Sequence, residues 1–97
     1  MTSPSCAFSG VTLEVVNRIR SVANAEYGVA FDPSAGTNGT ATAHTPFGLC
    51  VVHFVHDSAR SVIVLTLLKK PFWLPTRLLW SGFEEEIERC RRFVAGR

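Results

Sequence analysis

Apolar side chains recur every three or four residues from Gly10 to Tyr27. Val15, Val16, Ile19, Val22, Ala23 and Tyr27 fall on one stripe, and Glu14, Asn17, Arg18, Arg20 and Asn24 lie mostly opposite. This period predicts an amphipathic helix of about 16 residues, ~24 Å long. Ser9 or Thr12 can accept the orphan amides at its start, and Gly28 takes the left-handed geometry that ends a helix. A second stripe, Leu79, Phe83, Ile87, Cys90 and Val94, predicts a helix from about Thr76 to Val94, broadened by Leu78, Trp80 and Phe93. Pro75 suits the entry to it. Glu85 and Glu88 stand four residues before Arg89 and Arg92, the favourable order for ion pairs along a helix. Gly82 costs about 1 kcal/mol relative to alanine and marks a point where the helix can kink.

Between the helices the period changes to that of strands. Thr40–Thr45, Leu49–His56 and Ser61–Leu68 read as an antiparallel meander, with Val29–Asp32 as a candidate fourth strand. Residues 32–39 carry turn chemistry throughout, ending in Asn38-Gly39. Residues 1–8 read as a flexible arm and residues 9–97 as one domain. The fold class is α+β: helix, antiparallel meander, helix.

A three-residue loop at Pro46–Gly48 sets His44 opposite Cys50, Thr42 opposite Val52 and Thr40 opposite Phe54. A two-residue loop at Ser58-Ala59 sets Phe54 opposite Ile63. His44, Cys50 and His56 then share a face with Val52, Phe54, Ile63, Leu65 and Leu67. The other face carries Leu49, Val51, His53, Val55, Val62, Val64 and Leu68. A one-residue slip in either loop exchanges a strand's two sets. Either way, the second and third strands are apolar on both faces, whereas a sheet covered on one side alternates apolar and polar. Either the helices divide between the faces, or both take one face and a partner covers the other. The second layout is favoured, with self-association across the uncovered face.

The 97 residues are 46% hydrophobic and 19% charged, which excludes disorder for the bulk of the chain. No repeat period is visible. Residues 1–57 carry two arginines against four carboxylates, and residues 58–97 carry eight cations against four, so the halves stand at −2 and +4. This mild excess falls far short of the basic stripe of a nucleic-acid binder. Met1–Gly10 has neither the basic nor the apolar region of a secretory signal, and no apolar run approaches the ~20 residues of a membrane span. Cys6, Cys50 and Cys90 are odd in number and lack paired spacing, which reads as reduced thiols in a cytoplasmic protein.

Candidate chemistry is sparse. Cys50-x-x-His53 and His53-x-x-His56 have metal-like spacing, but residues three apart on a strand point to opposite faces, so no metal site is expected. His44 beside Cys50 could form a thiolate dyad, yet no third orienting group is evident, and core packing is the stronger expectation for the cysteine. Gly36-x-x-Gly39 matches a short RNA-binding loop, but it precedes a strand and lacks flanking cations. Glu84–Glu86 with Glu88 reads as a solvated helix face. Residues 69–83 combine Lys69, Lys70, Phe72, Trp73, Arg77, Trp80 and Phe83, the mixture found at protein hot spots and membrane interfaces. Plugging one end of the core is the stronger expectation for their aromatic side chains.

Together these patterns predict a non-enzymatic interaction module without cofactor, partnered by its own copy or another protein and not by nucleic acid. Its candidate contact residues are Phe72, Trp73, Arg77, Trp80, Phe83, His44 and His56. The alternatives are an apolar-ligand or lipid binder, with a cavity lined by Phe54, Ile63, Leu65, Phe83 and Ile87, and a membrane-surface contact through residues 69–83, which is not favoured.

Overall fold

A computed structural model describes residues 4–32, 37–45, 48–71 and 73–96. Its elements in chain order are β1 (Ser5–Phe8), α1 (Leu13–Tyr27), β2 (Ala30–Asp32), β3 (Asn38–Thr45), β4 (Gly48–Asp57), β5 (Val62–Lys69) and α2 (Thr76–Ala95). The five strands form one antiparallel sheet in the order β1-β5-β4-β3-β2. The α+β class holds, with the candidate fourth strand present as β2 and a fifth strand at the N-terminal end.

That fifth strand corrects the reading of residues 1–8 as a loose arm. Ser5–Phe8 pair with Ile63–Thr66 at the sheet edge, and the Pro4 carbonyl accepts the Leu67 amide at 2.8 Å. Four residues are too few to show a clear period, so tertiary pairing decides their conformation. Phe8 turns inward and is buried.

Both helices obey their sequence signals. The Thr12 side chain accepts the Val15 amide at 3.4 Å, and Gly28 closes α1 with φ 64°. α2 runs unbroken through Gly82. Arg92 pairs with Glu88 at 3.4 Å as the spacing predicts, but Arg89 reaches Glu86, three residues back, at 3.3 Å.

The hairpin registers differ from the predicted ones. Thr45 pairs with Gly48, so His44 lies opposite Leu49 and Ala43 opposite Cys50. Gly48 adopts φ 140°, open to glycine and strained for other residues, which lets it begin β4 instead of ending the turn. This one-residue slip exchanges the two faces of β3. Asn38 and Gly39, read as turn, begin that strand. Thr37 O and Asn38 Oδ1 both accept the His56 amide, at 3.0 and 3.3 Å. At the second turn Asp57 pairs with Val62, and Phe54 lies opposite Leu65, not Ile63. Asp57 Oδ1 accepts the amides of Ala59 and Arg60 at 3.1 and 3.3 Å, fixing the longer turn. This second shift is by two residues, so the faces of β4 and β5 are as predicted.

Both helices pack on one face. Val15 and Val16 of α1 and Ile87 and Cys90 of α2 meet Phe8, Val11, Phe54 and Ile63 in the main cluster. Cys50, Val52 and Leu67 form a second cluster, covered by Leu79, Trp80 and Phe83 of α2. Leu65 and Phe83 touch both clusters. The edges of Phe31 and Phe54 meet at 5.9 Å, with the Arg20 guanidinium about 5 Å from each ring.

Replacing Phe8→Ala should lower the unfolding free energy by about 3–5 kcal/mol in urea titration. A loose arm would leave the transition unmoved. Thr12→Ala should cost about 1 kcal/mol through the lost cap.

Candidate interaction surface

Alternation along a strand sends every second side chain away from the helices. On β4 these are Leu49, Val51, His53 and Val55, and on β5 they are Val62, Val64, Thr66 and Leu68. Thr40, Thr42 and His44 join them from β3, Ala7 from β1 and Ala30 from β2. Val55, Val64 and Leu68 remain 40%, 36% and 53% exposed, so strands of core-like composition meet solvent on this side. The ionised groups nearest the face stand at its margins: Asp32 on an edge strand, and Asp57 and Lys69 at strand ends.

The face has the scale of a stable contact. Five strands span ~24 Å across, and the central three run ~27–34 Å, giving a projected area of roughly 500 Å² once the short edge strands are counted. Each partner in a standard interface contributes about 800 Å² of accessible surface. The edge strands β1 and β2 have only four and three residues, so adding a strand at either edge would gain few hydrogen bonds.

The predicted contact residues do not assemble into one site. His44 is on the open face, apart from Cys50 and His56, so the proposed sharing of a face by these three is corrected by the slip of β3. His56 is buried. Its Nε2–H donates to the Val11 carbonyl at 2.6 Å, a tautomer that follows from the carbonyl being an acceptor only. His56 Nδ1 is buried without a partner among the described residues. Val11 N donates in turn to Ser61 O at 2.8 Å, so His56 helps tie the start of α1 to the β4–β5 turn.

Cys50 is buried too, and burial pushes its thiol pKa up, which opposes thiolate formation. The expected dyad is therefore not assembled. Burial also raises the Cys90 thiol, with the charge of Glu86 adding to the effect. The Tyr27 hydroxyl donates to Glu86 Oε1 at 3.0 Å across the two helices, and this hydrogen bond, then the carboxylate charge, raises its pKa.

In the basic aromatic segment, Trp80 and Phe83 are half-buried against the second cluster, their rings edge-on at 5.7 Å. Trp73 and Arg77 face outward. Phe72 lies outside the described residues. Lys70 Nζ turns back to donate to the carbonyls of Leu74 at 2.5 Å and Pro71 at 3.3 Å, bracing the entry to α2. Two open surface depressions of about 490 and 460 Å³ are lined by Arg20, Ser21, Asn24, Ala30 and Phe31, and by Glu14, Asn17, Arg18, Ser21 and Phe93. Neither is the cavity imagined between Phe54, Ile63, Leu65, Phe83 and Ile87. Among the described residues no group of three or more His, Cys, Asp or Glu side chains could hold a metal ion. No described helix is long and apolar enough to cross a membrane.

The feature that sequence reasoning placed without its full consequence is His53. It stands half-buried on the central strand of the open face, and its signal was the polar interruption of an apolar strand. Comparison of the chain with protein-family models, curated proteins and solved structures gives no match.

In native protein, iodoacetamide should label Cys6 first and leave Cys50 and Cys90 protected, as read by mass spectrometry. Because both buried thiols have raised folded-state pKa values, their contribution to stability is complete below the ordinary thiol value of 9.0 and is lost as pH rises through the folded values. Urea midpoints should therefore fall between pH 8 and pH 10.5, and less so in Cys50→Ala.

Proposed function

We propose that this chain is a non-enzymatic, self-associating interaction module whose open sheet face stacks on that of a second copy. One observation carries the reading: both helices occupy the same side of the sheet, leaving a contiguous, largely apolar face on the other. Contiguous exposed apolar surface of several hundred Å² marks contact sites in monomers and interfaces in oligomers. A second copy offers an equal and opposite face of the same chemistry, and closed twofold pairs are the commonest assembly. Sheet-on-sheet packing at about 10 Å would bury Val51, Val55 and Val64 as in the core of a β-sandwich.

The unpaired cysteines fit the expected cytoplasmic setting. The alternative, an apolar-ligand or membrane contact through residues 69–83, has less behind it, because Trp80 and Phe83 are spent on the core.

Light scattering at micromolar concentration should give twice the chain mass of 10.7 kDa. Val64→Lys, at the solvent side of β5, should give a folded monomer. A monomeric wild-type chain would refute the reading.

A further inference from the structure

The open face is interrupted along a single line. Asp32 pairs with Thr40, Thr40 with His53, His53 with Thr66, and Thr66 with Ser5. One polar residue from each of the five strands thus forms a row running perpendicular to the strands. Ser5 Oγ and Thr66 Oγ1 share a hydrogen bond of 3.0 Å within it. On one side of the row stand Val55, Val64 and Ala7, and on the other Val51, Leu49 and Ala30. His53 occupies β4, the middle strand, and so sits at the centre of both the row and the face.

This arrangement restricts how two copies can stack. A twofold axis displaced from the row would set hydroxyls and an imidazole against valines, desolvating them without partners. An axis along the row would place Asp32 over its counterpart, opposing two carboxylates. An axis through His53 and parallel to β4 avoids both. It sets row on reversed row, with Asp32 over Ser5, Thr40 over Thr66, and His53 over His53 of the second copy. The apolar patches then meet their own counterparts.

We propose that the polar row fixes the register of the dimer, with His53 against its counterpart on the twofold axis, and that protonation of this pair opens it. The proposal rests on the self-association reading above. While neutral, one imidazole can donate N–H to the ring nitrogen of the other. Once both are protonated, each offers only donors and a positive charge.

The groups around His53 do not offset that charge. Thr40 flanks it from β3, Thr66 from β5, and Val51 and Val55 along β4. The helices lie on the other side of the sheet. Asp32 is two strands away, ~10 Å along the row, about one Debye length at 0.1 M salt. His44, Asp57 and Lys69 stand toward the ends of their strands.

The test is sedimentation equilibrium of the full chain at pH 8.0 and pH 5.5, with circular dichroism to confirm folding. Wild type and His44→Gln should show a dissociation constant at least about tenfold higher at pH 5.5. His53→Gln and His53→Thr, which keep the row polar without an ionisable ring, should dimerise with constants within about twofold of each other at the two pH values. A wild-type constant unchanged by pH, or a full pH response in either His53 variant, overturns this proposal and leaves self-association standing. Monomeric behaviour of both His53 variants at pH 8.0 also overturns it, since polar matching would then not hold the register. A monomeric wild-type chain at both pH values overturns the self-association reading as well.

Discussion

Everything in this structure follows from placing two helices on the same side of a five-stranded sheet. Phe54, Ile63 and Leu67 turn toward the helices and are each 4% exposed. Their neighbours Val55, Val64 and Leu68 have similar chemistry and no cover. Burial of a side chain of this size stabilises by about 1.5–3 kcal/mol, so an uncovered apolar face forgoes a contribution comparable to that of the core itself. The helices cannot supply it, because both apolar stripes are already engaged in the two core clusters. The surplus therefore belongs to intermolecular contact, and the function proposed here is a reading of that surplus.

Legibility in the sequence followed the strength of local signals. The helices were readable because periodicity and capping agree: Thr12 and Gly28 bound α1 where their chemistry says they should. The two-sided apolar character of β4 and β5 was readable because it does not depend on register. The faces of β3 were harder to read. Thr40 to His44 alternate small and polar residues, so neither face has enough hydrophobic weight to select itself. The conformation of Gly48 decides the matter, and a glycine is compatible with either loop length. β1 was illegible because four residues carry too little period, and its pairing energy comes from a strand some 60 positions away.

The candidate site was legible in part for the same reason. His44 and Cys50 were brought together by a register that a one-residue slip dissolves. Trp80 and Phe83 carry the same composition whether they face a partner or the core, and only the packing of α2 distinguishes the two. His56 looked like a surface group by type, yet its imidazole supplies the hydrogen bond that the Val11 carbonyl needs inside the fold. The polar row could not be seen before the strands were aligned, because its five members are scattered from residue 5 to residue 66 and no two are adjacent in the chain.

The edge pairing of β1 has a consequence for the order of assembly. β3, β4 and β5 are joined by short turns and can pair with little loop-closure entropy. β1 must instead reach back to β5 across nearly the whole meander, a contact of high sequence separation that is slow to find. Val11 and Phe8, which seal the main cluster, lie beside that late contact. Until β1 docks, the outer edge of β5 stays open, and Leu65 and Leu67 are available to any strand with the right alternation. The N-terminal strand thus serves as the closing element of the sheet, and its docking would end the interval in which a nascent chain is most exposed to mispairing.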